Sequence, residues 1–439
     1  MLEKQLRDLV KGKKVLILGF GREGKSTLRT LKQISGYSSI SIADRNELPD
    51  VSNEVDKILS GENYLECIDD YDVVFKSPGV VLPRHRSEYK AYITSQIEQF
   101  LKCFGRRTIG ITGTKGKSTT TSLLYHVLSS SGMKCTLAGN IGIPVFDIDE
   151  EAENDGDTKI VLELSCHQLE YCDYSPSTAL FLNVYEDHLD HYGSVELYRK
   201  AKTNIYTHQS ENDILYCLPE FVPEEGTFKS RVRLVDVKEL PFKNFEELKG
   251  AKLRGEHNLT DCAFVYAVAS SLGIGDDEFA DAVVTFSPLP HRLEMIGKKN
   301  GAEYYDDSIS TTAESTMNAI KSIKNAKTII LGGMDRGIHY KELIDFLLDC
   351  GIKNIAFMYE SGKRMYDLLL KENSISNHHL KAGVNVRLFD NLKDAVSWAV
   401  ANTFDGEACI LSPASASYGD FKNFEERGDM YRRMIFENE

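Results

Sequence analysis

The run GITGTKGKSTT, residues 110–120, packs two lysines, three glycines and five hydroxyl side chains behind an apolar stretch. Backbone amides of such a glycine-rich loop cradle phosphate oxygens, a lysine neutralises the β/γ charge and a hydroxyl ligates Mg²⁺. Lys117 and Ser118 stand where that lysine and hydroxyl belong. The spacing departs from the general nucleotide loop, because five residues separate Gly110 from Gly116, one more than usual. Glu163, near the end of the run KIVLELS, is where a nucleotide-binding sheet places a metal carboxylate; alone, it is also an ordinary strand terminus. NVYEDHLDHYG holds His188 and His191 among acids. Both read equally as metal ligands or as hydrated loop residues. Lys202 shares a helix face with Tyr198 and Tyr206, where a solvated lysine is the simpler explanation.

These groups need elements to hold them. The first segment, KKVLILGFGREGKSTLRTLKQ, is a short apolar run leading into Gly19-x-Gly21-x-x-Gly24 and a helical pattern. The next strand, SISIAD, ends at Asp44. This is the context of a dinucleotide fingerprint, although the same glycines also serve to pack a helix on a strand. DVVFKSPGV adds a strand ending in the turn Ser77-Pro78-Gly79. Strands and helices alternate again through the second segment and the third, which implies parallel sheets with sites at the strands' carboxyl ends. The acidic run at 149–157 reads as a surface connector. The expected architecture is α/β in three domains: residues 1–102 Rossmann-like, 103–296 a P-loop ATPase-like parallel sheet, and 297–439 Rossmann-like.

Composition narrows the classes. A chain of 439 residues exceeds one ordinary core. Hydrophobic residues make up 42% and charged ones 27%, as in a soluble globular protein. A net charge of −14 argues against broad nucleic-acid binding. No apolar run is long enough for a bilayer, and the charged N-terminus lacks a signal-peptide core. Nine scattered cysteines without a CxxC pair read as free thiols in the cytoplasm. The expected partners are small molecules, with no nucleic acid and no membrane, acting on a monomer.

In combination, TGTKGKST, LELSCHQLE, NVYEDHLDHYGS…YRKAK, the pair His257-Asn258, HRLE at 291–294 and the tail LSPASASYGDFKNFEERGDMY resemble the Mur ligase family of peptidoglycan precursor synthesis. The resemblance runs along essentially the whole chain. That family spells its loop TG-T/S-x-GK-S/T, which accounts for the spacing of Gly110. LELSCHQLE and the tail are similar to the branch that adds D-glutamate to UDP-N-acetylmuramoyl-L-alanine through an acyl phosphate.

The resemblance implies ATP as substrate, two Mg²⁺ sites and a CO₂-derived carbamate on Lys202. It puts Lys117, Glu163, His188 and Lys202 at the catalytic centre, with metal held by Ser118, Glu163, His188 and carbamylated Lys202. ATP falls to Gly113, Thr114, Lys115, Gly116, Lys117, Ser118 and Thr119, with Asn258 at the base, Arg292 near the hinge and Asp307 at the ribose. The first domain then takes UDP instead of NAD. Gly21, Arg22, Glu23, Asp44 and Arg45 surround uracil and ribose, Ser77 and Gly79 lie near the diphosphate, and Asn140 and His188 meet the muramoyl part. Thr311 and Arg336 receive the α-carboxylate of glutamate, and Ser417 and Phe424 its side chain.

The chain departs from the family pattern at several points. Lys115 and Asp261 replace asparagines, Arg336 a lysine, and His167 an aromatic residue; Ile309 and Ser310 stand where the family has Lys-Ala. Competing readings are a ligase for L-glutamate or another amino acid, a folylpolyglutamate-synthase-like enzyme, an NAD-dependent oxidoreductase resting on Gly19–Gly24 and Asp44, and a non-catalytic ATP-binding protein.

Overall fold

Short β-branched runs become strands of three sheets in the computed structural model, which describes residues 1–48, 51, 53–187, 189–375 and 383–437. The candidate ligand His188 lies outside the described residues. The chain divides into two compact units, Met1–Lys243 with Leu259–Val283, and Asn244–Asn258 with Val284–Glu439.

The first unit holds two parallel sheets. β1 (Lys14–Leu18), β2 (Ser39–Asp44), β3 (Lys57–Ser60), β4 (Val73–Lys76) and β5 (Tyr92–Thr94) lie in the order β3-β2-β1-β4-β5. The order reverses between β1 and β4, which opens a crevice at their carboxyl ends. β6 (Thr108–Thr112), β7 (Cys135–Gly139), β8 (Lys159–Glu163), β9 (Thr178–Phe181), β10 (Ile214–Cys217) and β11 (Arg231–Leu234) form the order β11-β10-β9-β6-β8-β7. β6 is flanked by β8 and β9, with Ile111 beside Glu163 and Thr112 beside Phe181. Three strand ends therefore converge where the glycine-rich loop begins.

One core serves both sheets. It runs from Ile17, Ile42 and Phe75 through Phe100 to Phe146, Leu162 and Phe181. Phe75 meets Phe146 edge to face at 6.4 Å. Each such side chain, once buried, contributes about 1.5–3 kcal/mol. The helix Val195–Thr207 starts at Ser194, whose Oγ accepts from the Leu197 amide at 3.2 Å. Its buried face carries Tyr198, Ala201, Lys202, Ile205 and Tyr206. A face spaced in threes and fours thus takes Lys202 inward, and the solvated reading of that lysine does not hold.

The acidic run at 149–157 lies at the surface between β7 and β8 and carries a short helix. Residues Glu150–Asn154 are helical, and Arg107 donates to the carbonyls of Ala152, Glu153 and Asp155. A guanidinium on the last carbonyls of a helix satisfies groups that have no partner within it. The connector is thus anchored to the start of β6.

The second unit contains β12 (Glu294–Lys299), β13 (Ala302–Asp306), β14 (Ala326–Leu331), β15 (Asn354–Met358), β16 (Asn385–Phe389) and β17 (Ala408–Leu411), in the order β12-β13-β17-β14-β15-β16. Only β12 runs antiparallel, against β13. β14, β15 and β17 are buried almost throughout, as expected for parallel strands covered on both faces. All nine cysteines are free thiols. Among the described residues no helix is long and apolar enough to cross a membrane.

Candidate active site

The glycine-rich loop leaves β6 at Thr112, whose Oγ1 donates to the Leu164 carbonyl at 2.7 Å. Asn183, just beyond β9, clasps the loop from the side. Its Oδ1 accepts from the Lys115 amide at 2.9 Å, its Nδ2 donates to the Lys115 carbonyl at 3.1 Å, and its own carbonyl accepts from the Thr114 amide at 3.1 Å. Thr114 Oγ1 accepts from the Tyr185 amide at 2.9 Å and lies 3.0 Å from the Tyr198 hydroxyl. Gly116, with φ +82°, turns the chain into the helix Lys117–Ser130. That left-handed conformation suits glycine. Unpaired amides at such a helix start attract anions. Ser118 and Thr119 occupy its first turn. Lys117 Nζ donates to the carbonyls of Gly113 and Thr114, both at 2.8 Å, which holds its charge over the loop.

Glu163 ends β8 fully buried. Its Oε1 accepts from Asn140 Nδ2 at 2.6 Å, whereas Oε2 is buried without a hydrogen-bond partner. An orphaned carboxylate oxygen beside a phosphate loop fits a hard divalent cation, which takes oxygen donors. Lys202 is 1% exposed and donates to the Gly113 carbonyl at 2.7 Å. Its ammonium lies 4.9 Å from the Tyr198 ring centre. Burial, reinforced by the nearby Lys117 charge, brings its pKa down from 10.5 to about 7. His191 is engaged elsewhere: Nε2 lies 3.4 Å from Glu170 Oε2, and its ring meets His167 edge to face at 4.4 Å.

A cavity of about 840 Å³ occupies the crevice between the ends of β1 and β4. Gly21, Arg22, Glu23, Asp44, Arg45, Ser77, Gly79 and Asn140 all line it. A Cβ on Gly24 would collide with the Gly19 carbonyl, while one on Gly21 would meet nothing within 4 Å. Gly24 therefore serves helix packing and Gly21 leaves the floor open. Arg22 does not reach freely into the space. Its Nη2 donates to the Gly139 and Asn140 carbonyls at 2.8 Å each and its Nη1 to Gly142 at 3.2 Å, strapping down the loop that carries Asn140. Asp44 accepts from the Phe20 and Asn46 amides at 2.7 and 2.8 Å, shaping the turn after β1. Ser77 Oγ donates to the Gly19 carbonyl at 2.7 Å. Burial raises the pKa of Glu23, whose Oε1 accepts from Gln168 Nε2 at 2.6 Å.

In the second unit, candidate residues gather after β13, β14 and β17. Asp307 is 4% exposed; its Oδ2 accepts from Ser412 Oγ at 2.6 Å and its Oδ1 from the Leu293 amide at 3.1 Å. Burial lifts its pKa to about 6. Both oxygens are thus used within the unit. Asn258 donates to the Arg254 carbonyl at 2.6 Å. Arg292 lies close enough to His257 to join burial in lowering that imidazole's pKa. Thr311 and Arg336 are exposed, and the Arg336 guanidinium sits 5.4 Å from the Tyr418 ring centre. Ser417 is buried, and Phe424 opens the helix Phe424–Phe436 with its ring 6.1 Å from His291.

Sequence reasoning passed over two residues that hold these loops. Asn183 was visible only as a polar residue directly after an apolar strand. Arg427, inside the tail motif, is fully buried. It donates to Ser308 Oγ at 3.0 Å, the Ser308 carbonyl at 2.7 Å, the Ser415 carbonyl at 3.0 Å and the Ala416 carbonyl at 3.2 Å. It ties the loop after β13 to the loop after β17. A charged residue in an amphipathic helix gives no signal of that kind.

Comparison with known proteins adds the following. The model of the Mur ligase middle domain matches residues 111–269. UDP-N-acetylmuramoylalanine–D-glutamate ligase of Clostridium botulinum is 30% identical over 462 aligned positions covering 98% of each chain. The enzyme of that name from Clostridium kluyveri is also 30% identical, with 98% of each chain covered. Among solved structures, MurF ligase of Thermotoga maritima in complex with ADP is similar with a TM-score of 0.59 at 15% identity, over 98% of this chain and 97% of the other. UDP-N-acetylmuramate-alanine ligase MurC of Thermotoga maritima gives 0.55 at 17% identity, over 96% and 98%. These two likenesses speak to the fold.

Proposed function

The chain belongs to the Mur ligase family, and from that premise we propose that it is an ATP-dependent ligase adding D-glutamate to UDP-N-acetylmuramoyl-L-alanine in peptidoglycan precursor synthesis. One observation carries the reading. At the ends of β6 and β8, a phosphate loop, an orphaned oxygen of Glu163 and the buried amine of Lys202 meet within a single unit.

The reaction asks for charge neutralisation and placement rather than covalent help from the protein. The γ-phosphate of ATP passes to the terminal carboxylate of the muramoyl substrate, releasing ADP. The glutamate amine then attacks the acyl carbon, phosphate leaves and the amide forms. Lys117 and the amides around Gly116 offset the phosphate charge. Mg²⁺, when bound, would screen the phosphoryl oxygens, held by Ser118 and Glu163 at one position and by His188 and carbamylated Lys202 at another. Asn140, hydrogen-bonded to Glu163 and strapped by Arg22, would orient the muramoyl end.

In this reading residues 1–102 bind the UDP-sugar, 103–296 bind ATP with Asn258 and Arg292, and 297–439 bind glutamate through Thr311, Arg336, Ser417 and Phe424. Asp307 contributes to the ribose pocket, and the reaction belongs in the cytoplasm where ATP is supplied. Phosphate release should require ATP, Mg²⁺, UDP-N-acetylmuramoyl-L-alanine and glutamate together. A panel of amino acids in both enantiomers, with product mass measured, tests the specificity. Release without the muramoyl substrate, or none with the full set, would overturn the assignment.

A further inference from the structure

Lys115 and Asp261 both depart from the usual asparagine of the family, and they are distant in the chain. The fold brings them to one place, Gly116. Lys115 precedes that glycine and is half-buried. Asp261, on the helix Glu256–Ser271, is 6% exposed, and its carboxylate packs on the loop. A Cβ at Gly116 would lie 3.2 Å from Asp261 Cγ, 3.3 Å from Oδ2 and nearer still to Oδ1.

A carboxylate there opposes the site's purpose. Gly116 caps the start of the helix Lys117–Ser130, where backbone amides and the helix dipole favour an anion. Asp261 takes up part of that positive field and repels an incoming triphosphate. Lys117 is directed to the carbonyls of Gly113 and Thr114. Lys115 is the lysine that the loop has beyond the one the chemistry needs, and it stands next to the residue Asp261 touches.

We propose that Lys115 and Asp261 form a compensating charge pair in place of two neutral amides, so that nucleotide affinity depends on the two jointly. The pair rests on the ligase reading only in that the loop binds ATP. Each residue acts as a positioning group: Lys115 cancels the carboxylate, and Asp261 keeps the extra lysine from over-binding the phosphates.

A double-mutant cycle tests this on the full chain. ATP binding is measured by titration calorimetry, without muramoyl substrate or glutamate, for the wild type, Lys115→Asn, Asp261→Asn and the double variant. Lys115→Asn should weaken ATP roughly tenfold, Asp261→Asn should leave it equal or tighter, and the double variant should regain most of the loss. In turnover assays KM for ATP should follow the same order while KM for glutamate stays level. Equal weakening by Lys115→Asn with and without Asp261 would show that Lys115 acts on phosphate alone and would overturn the pair. A wild type that binds ATP but yields an additive cycle leaves the ligase reading intact; a wild type that binds no ATP removes that reading and the pair with it. If Lys115→Asn alone does not fold, thermal melting of the double variant decides: a folded double variant with near-native affinity supports the pair, and an unfolded one refutes it.

Discussion

Lys202 donates from Nζ to the carbonyl oxygen of Gly113 across 2.7 Å, which places a buried amine directly beneath the phosphate loop. The relationship follows from the helix Val195–Thr207, whose inward face carries Tyr198 and Lys202 together. An ordinary lysine is an ammonium at neutral pH and cannot attack CO₂. With its pKa brought to about 7, Lys202 has a substantial neutral fraction, and the proposed function has that amine take up CO₂ to become an anionic oxygen ligand.

Lys202→Ala should lower turnover roughly a hundredfold, with partial recovery on adding short carboxylates that stand in for the missing anion. Wild-type activity should fall as pH drops below about 7, because protonation removes the reactive amine. Isotope-labelled bicarbonate should give a carbamate resonance by NMR that Lys202→Ala lacks. Normal rates in the variant would eliminate the metal-ligand role.

Glu163→Gln separates stability from function. The amide oxygen can still accept from Asn140, while the carboxylate charge next to the orphaned position is removed. The variant should therefore stay folded while losing Mg²⁺-dependent phosphate release. A folded variant that is fully active would contradict the placement of a cation here.

How far the sequence was readable depends on the range of the interaction. The phosphate loop, the strand before it and the helix after it lie in one continuous stretch, and β1, β2 and β4 fall within the apolar runs that announced them. Asp44 was found by its distance from Gly24, yet its carboxylate is spent on the Phe20 and Asn46 amides, a choice that spacing does not encode. The clasp of Asn183 on Lys115 and the strap of Arg22 on Gly139 and Asn140 join segments far apart in the chain. Periodicity says which face is buried, not which carbonyl a buried donor will find. The acidic run at 149–157 shows the same limit: it is a surface connector between β7 and β8, as composition marked it, but its helical turn and its hold by Arg107 through backbone carbonyls were not legible.

Arg427 offers a test of the second unit. Truncation to Ala would leave the carbonyls of Ser308 and Ser415 buried without their donor, while that of Ala416 keeps the Met334 amide at 2.9 Å. At about 1–3 kcal/mol for each of these two abandoned acceptors, the unit should lose roughly 2–6 kcal/mol. Arg427→Lys should recover only part of this, since an ammonium cannot match the planar fork. The single tryptophan, Trp398, lies in this unit, so its fluorescence during urea unfolding reports the loss. A change below about 1 kcal/mol would show that water replaces the guanidinium without penalty.

His291 gives that unit a pH-dependent contribution of definite sign. Its Nδ1 lies 2.7 Å from Asp306 Oδ2, and this hydrogen bond raises the imidazole pKa above 6.5 against the opposing effect of burial. The folded state then holds the proton more tightly than the unfolded chain. The stabilisation is complete below the ordinary histidine value and is lost as pH rises through the raised one. His291→Asn is the suitable variant, because φ at this position is +62° and asparagine tolerates the left-handed region. Followed by Trp398 fluorescence, the urea midpoint of the variant should fall furthest below wild type near pH ~6 and approach it by pH ~9. A gap that stayed constant or widened over this range would mean that the His291–Asp306 contact does not depend on the imidazolium charge.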